Sequence, residues 1–166
     1  LGISRLAAAR TILTDHAGAV ELIHAGKRSH KAVRISVITA MHQVNPSAYR
    51  AQRDPHLVIE YGIEELRVSP VVSRGTKPCL SCRDLWSAEN DADWATNAIQ
   101  LTARNDQLDD GAGLLMAAAI AAKTICEFVD HSGGKETEGY KANLKTRGLK
   151  TYSWQFHPAC QCRTKS

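Results

Sequence analysis

Apolar positions along the chain follow two periods, and the places where one gives way to the other mark its elements. Over residues 4–14, Leu6, Ala9 and Leu13 recur at helical spacing in an alanine-rich stretch, which predicts a helix ending near Gly18. Residues 20–23 predict a short strand. A longer one is predicted over 32–39, where Val33, Ile35, Val37 and Ile38 form a β-branched run suited to a sheet covered on both faces. Asn45-Pro46 marks a helix start, because Pro at the first helical position lacks only an N–H that would be unpaired anyway, and the helix is expected over 47–53. His56-Leu57-Val58-Ile59 reads as the next strand and 66–72 as one more. The order helix, strand, strand, helix, strand predicts an α/β layer with parallel strands.

In the second half, 112–130 is the clearest helix. Its apolar residues run nearly all round from Leu114 to Val129, so it is expected to be buried on most faces, and His131-Ser132-Gly133-Gly134 ends it. Residues 134–149 are polar and rich in Lys and Gly, which predicts an exposed excursion. Residues 154–162 close the structured part and 163–166 form a loose tail. The longest apolar run, 113–122, stops at Lys123, well short of a bilayer, so no membrane-crossing helix is expected. There is no internal repeat.

Composition narrows the classes. The 166 residues, 43% hydrophobic and 23% charged, are enough for one domain with a buried core. The 21 basic and 17 acidic side chains are scattered, and a net charge of +4 implies neither a nucleic-acid partner nor a membrane surface. The chain starts at Leu1 with no basic-then-apolar leader, which suggests a fragment or trimmed product of a cytoplasmic protein.

The five cysteines change the picture more. An odd number without a secretion signal fits a reducing compartment. Cys79 and Cys82 form a Cys-x-x-Cys and Cys160 and Cys162 a Cys-x-Cys, each beside turn formers: Gly75 and Pro78 before the first pair, Pro158 before the second. Two distant pairs make sense if one tetrahedral metal clamps them, and zinc accepts four thiolates without a directional preference of its own. Such a closed site is structural and not catalytic. The bland alternative is four ordinary buried cysteines. A thioredoxin-like redox pair fits less well, since Cys79-Leu80-Ser81-Cys82 follows a loop and the second pair would go unexplained. His157 either replaces one thiolate or, the favoured reading, hydrogen-bonds within its own His-Pro turn. Cys126, between Ile125 and Glu127 on the apolar helix, is expected in the core.

No glycine-rich dinucleotide or phosphate loop, nucleophile elbow or His-Glu-x-x-His occurs in the sequence. Asp106, Asp109 and Asp110 favour the N-terminus of the long helix through its dipole. Trp86, Trp94 and Trp154 flank the cysteine pairs and are expected to pack around them.

Four stretches together resemble a known family. They are Pro55-His56-Leu57-Val58; Val68-Ser69-Pro70-Val71-Val72-Ser73-Arg74-Gly75-Thr76-Lys77-Pro78-Cys79-Leu80-Ser81-Cys82; Asp84-Leu85; and Trp154-Gln155-Phe156-His157-Pro158-Ala159-Cys160-Gln161-Cys162. With Asp91-Ala92-Asp93-Trp94 and Gln100-Leu101 between them, they resemble the C-terminal part of ThiF-like proteins of the ubiquitin-activating-enzyme-like superfamily. The nearest branch is the one found with thiazole- and oxazole-modified peptide biosynthesis, described as cyclodehydratase or precursor leader-peptide-binding proteins. Ser69-Pro70 stands where such proteins usually have Gly-Pro, and Gln161 where they commonly have Gly. The resemblance implies a truncated Rossmann-like, ThiF-type α/β layer with a zinc-stapled C-terminal region. The expected division is one partial domain over 1–162, with a degenerate α/β half (1–53), a cysteine-framed half (54–162) and the tail.

The same resemblance implies what is missing. The superfamily's nucleotide loop would precede Leu1, His24 stands where a ribose-binding acid is expected, and Met41-His42-Gln43 stands where an Asp would help hold magnesium and nucleotide. ATP is therefore not expected as a cofactor. The leading expectation is a non-catalytic scaffold with structural zinc on Cys79, Cys82, Cys160 and Cys162, which helps present a ribosomally made precursor peptide to a YcaO-type cyclodehydratase. A homodimer is left open. The alternatives are an ATP-dependent adenylating enzyme whose nucleotide loop lies outside the sequence, and a zinc-ribbon nucleic-acid binder, against which the mixed charge around both pairs argues.

Overall fold

Six strands lie side by side in the order in which the chain makes them: β1 (Ala19–Ile23), β2 (Ala32–Met41), β3 (His56–Tyr61), β4 (Glu65–Val68), β5 (Gly139–Asn143) and β6 (Leu149–Tyr152). Helices α1 (Pro46–Arg50), α2 (Leu80–Asn90), α3 (Trp94–Ala103) and α4 (Gly111–Asp130) accompany them, with a 3-10 turn over Gln161–Arg163. The computed structural model describes residues 19–23, 32–50, 52–73, 75–104, 111–130, 138–146 and 148–163. The helix expected over 4–14, His24, the acidic cluster at 106–110 and the last tail residues lie outside these.

The mixed α/β class matches the sequence reading, but the parallel layer does not. Only β2 and β3 run parallel, across the short α1 crossover, and every other neighbouring pair is antiparallel. After β3 the chain turns back at once: the Gly62 N–H reaches the Glu65 carbonyl at 2.7 Å and closes a hairpin into β4. The strand expected over 66–72 breaks after Val68, since Pro70 has no N–H to offer a ladder. Ser69 bridges the break, accepting from the Val58 N–H at 2.8 Å through its hydroxyl, and Val72 rejoins His56 in a single bridge.

Burial follows the strands' alternation. All six residues of β3 are buried, as a central strand covered on both faces requires. Leu57 and Ile59 join Ile35, Val37, Leu66, Val68, Tyr140 and Ala142 on the face that α4 covers. Val58 points the other way, into a second cluster with Val44, Tyr49, Val72 and Leu80, against which Cys79 and Trp154 pack. This second cluster joins the sheet to the cysteines.

Two further expectations are corrected. Residues 134–149 are not wholly an exposed excursion: 139–143 form β5, with Tyr140 and Ala142 buried and Lys141 outside. Helix α4 is long and apolar enough by length and composition to cross a membrane. Counting an unbroken run missed this, because the helix continues through Lys123 and Thr124. Its composition has a use within the fold, however. Ala117, Ala121 and Ile125 are fully buried against the sheet, and the buried Thr124 hydroxyl donates back to the Ile120 carbonyl at 2.9 Å.

Candidate metal centre

Cys79 is the N-cap residue of α2, so the first pair opens a helix after all. The Cys79 carbonyl accepts from the N–H groups of Cys82 (2.9 Å) and Arg83 (3.2 Å). This first turn brings the two thiols to one side, with Sγ atoms 3.9 Å apart. Gly75 leads the chain into the site at φ +79, a left-handed conformation suited to glycine, with the Cys162 carbonyl alongside. The second pair is carried by a tight turn in which the Cys160 N–H donates to the His157 carbonyl at 3.0 Å.

The two knuckles meet. Cys79 and Cys160 Sγ are 3.6 Å apart and Cys82 and Cys162 Sγ 3.5 Å, and all four sulfurs lie within 4.8 Å of one another. Four sulfurs bound tetrahedrally at about 2.3 Å from one zinc stand about 3.8 Å apart, so this donor set fits the ion. A disulfide would need about 2.05 Å. The redox reading of Cys79 and Cys82 loses its basis, because each is as close to the second pair as to the other. Cys126 is buried on α4, outside the group.

The thiols are unequal. Burial raises the pKa of Cys160 to about 11 and that of Cys162 further, with neighbouring thiols adding to the latter. At Cys82 burial acts in the same direction but is outweighed by backbone hydrogen bonds from His157 and Cys79 together with those of the Cys162 and Cys160 thiols, so its pKa falls.

His157 is held as its turn requires. Its Nδ1 accepts from the Ala159 N–H at 3.1 Å. Glu89 Oε1 lies 3.0 Å from Nε2, close enough to pair though not aligned for a hydrogen bond. The ring meets Trp86 edge-on, with centroids 4.7 Å apart. Trp86 and Trp154 therefore support the centre as expected, whereas Trp94 stands at the head of α3.

Sequence reasoning missed a buried ionic network one turn into α2. Arg83 grips both oxygens of Glu60, at 3.0 and 2.9 Å, and Asp84 Oδ1 at 2.8 Å, and it lies 5.8 Å from the centre of the Trp154 ring. Glu60 also accepts from the Val44 N–H at 3.0 Å, and the Tyr49 hydroxyl donates to Asp84. Burial opposes the Arg83 charge, but Glu60 and Asp84 outweigh it and raise its pKa. Burial and the Asp84 hydrogen bond likewise raise the pKa of the Tyr49 hydroxyl. Next to this network, a groove of about 410 Å³ runs between Trp86 and Asn90 on one side and Trp154 and Gln155 on the other.

Neither a family model nor a curated protein sequence matches the chain. Solved structures match it in fold. A heterocyclase in complex with substrate and cofactor aligns with 95% of this chain at a TM-score of 0.58 and 15% identity. A chain of the E. coli microcin synthetase McbBCD complex aligns with 75% at 0.53 and 17%, and E. coli MccB crystallised with MccA with 78% at 0.52 and 18%. The chain shares the fold of these proteins. The chain spans only part of each of these proteins: 23% of the heterocyclase, 52% of the microcin synthetase chain and 39% of MccB. Within this fold the cysteine cluster brings the head of α2 to residues 160–162, beyond the last strand.

Proposed function

We propose that Cys79, Cys82, Cys160 and Cys162 hold a structural zinc ion, and that the chain is a non-catalytic ThiF-like component in the biosynthesis of azole-containing peptides. In this role it helps present a ribosomally made precursor peptide to a YcaO-type cyclodehydratase. The observation that carries the reading is the alignment of nearly the whole chain with a heterocyclase. Zinc would supply a fixed tetrahedral crosslink. With four thiolates bound it has no open position for substrate.

A feature of the sheet supports the non-catalytic part. Ligands of α/β sheets favour the crevice beyond the carboxyl ends of parallel strands. Here that end of β2 and β3 carries His42, Gln43 and Glu60 around a space of about 150 Å³, small beside the roughly 300–1,000 Å³ of ordinary ligand pockets. The Glu60 carboxylate is already taken by Arg83 and the Val44 N–H. The adenylating alternative draws on the likeness to MccB, a microcin C7 biosynthetic enzyme.

Metal analysis of the reduced protein is expected to give about one zinc per chain. The decisive experiment is capture of precursor peptide and cyclodehydratase by the purified chain, run beside ATP-binding calorimetry. Capture without ATP binding is the expected result, and tight ATP binding without capture would favour the adenylating reading.

A further inference from the structure

Strand β6 ends the sheet, and among the described residues its outer edge pairs with nothing. The register sets an unusual row beside that edge. Arg67 on β4 stands opposite Lys141 on β5, and Lys141 opposite Lys150 on β6, all on the face away from α4. Arg67 is paired with Glu65. Among the described residues neither Lys141 nor Lys150 has an acidic partner, and Lys141 Nζ lies 5.6 Å from the centre of the Tyr152 ring. Like charges directly opposite in an antiparallel pair cost stability. On the other face of the same strand Leu149 is 54% exposed.

A single lysine on an edge strand is readily explained as protection against unwanted pairing. That explanation does not cover Lys141, which is not on the edge, nor the exposed Leu149. A second copy of the chain fits poorly, because β6 against β6 would bring the Lys150 side chains of the two copies together without an acidic partner on either strand. We propose that the β6 edge is a docking site for an extended peptide segment that alternates acidic and apolar residues. Such a segment adds a seventh strand, its acidic side chains lying along Lys150 and Lys141 and its apolar ones beside Leu149. The Asn143 N–H donates to the Gly148 carbonyl, and the ladder alternation from that pair turns the N–H and C=O of Thr151 outward to meet the added strand.

The test measures fluorescence anisotropy of a labelled synthetic peptide alternating Glu and Val, with the purified chain at low and high salt. Salt-sensitive binding is expected for this peptide and none for its Lys/Val counterpart. The double variant Lys141→Gln/Lys150→Gln should weaken binding about tenfold. Lys123→Gln, on α4, should leave it unchanged. Thr151→Pro should abolish binding, since proline on an edge strand removes an outward N–H without breaking the β5–β6 ladder. If that variant does not fold, methylating alternate peptide amides removes the same strand bonds from the ligand side. No binding of the Glu/Val peptide would overturn the proposal. So would binding that survives both Thr151→Pro and amide methylation, or tighter capture of single-stranded oligothymidylate through the same lysines, which would mark a nucleic-acid surface. The proposal does not depend on the zinc or azole reading, since the probe is neither metal nor precursor peptide.

Discussion

Arg83 is the residue whose loss should be felt most among the charged groups. Replacing it with Met would leave the buried Glu60 and Asp84 carboxylates facing one another without their shared cation, at an expected cost of about 3–5 kcal/mol in urea unfolding. Adding Glu60→Gln to that variant should recover part of the loss. His56 makes a different prediction. Burial lowers its pKa below 6.5, while its Nδ1 faces the Asp54 carbonyl. The fold therefore favours the neutral ring. Its contribution is complete above pH 6.5 and declines on acidification towards the folded pKa, as the unfolded chain takes up the proton more readily. His56→Gln should flatten the decline of stability below pH 6.5 relative to the parent protein. At this scale the sequence was legible where chemistry and spacing coincide, as in the two cysteine pairs. It was silent on the ionic network, because Glu60 lies 23 positions from Arg83 and Tyr49 lies 35 from Asp84, and nothing local links them.

Among the elements, β6 depends on a glycine. Gly139 stands directly across from Tyr152, and a Cβ there would overlap the ring, 2.7 Å from its Cε2. The ring lies over the bare backbone and its hydroxyl donates to the Val68 carbonyl at 3.2 Å, which pins β6 to β4 through β5. Gly139→Ala should lift the ring, cost about 1–3 kcal/mol and increase amide exchange over 149–152 more than over β3. The sequence hid β5 because only Tyr140 and Ala142 mark its buried face, amid Lys and Gly. It hid α2 because the buried positions are Leu80, Cys82 and Asp84, and a buried carboxylate breaks any apolar period. Helix α4 was plain, since its apolar residues recur for twenty positions. The antiparallel half was beyond pattern reading for another reason: strand direction depends on connections, and the connection from β4 to β5 carries three helices.

For the whole molecule, the proposed zinc on the cysteine cluster would be a crosslink between sites 80 positions apart in the chain. Closing a loop of that length removes about 4.5 kcal/mol of unfolded-state freedom in the chain-entropy account, more than most single contacts provide. A strong zinc chelator under reducing conditions should therefore lower the melting temperature. It should release 154–162 and the first turn of α2 to hydrogen exchange before α4 loosens. Cys79→Ser and Cys160→Ser should reproduce that pattern, whereas Cys126→Ser should keep its metal. The same proposed crosslink would impose an order on biogenesis. On the ribosome the ring cannot close until Cys162 has emerged, so α4, β5 and β6 are made while the first knuckle still lacks its partner ligands. If the proposed zinc is bound, the Cys79–Cys82 pair stays an open thiol site until then, and the supply of zinc to the nascent chain would bear on whether it ends as this fold or as a misbridged one.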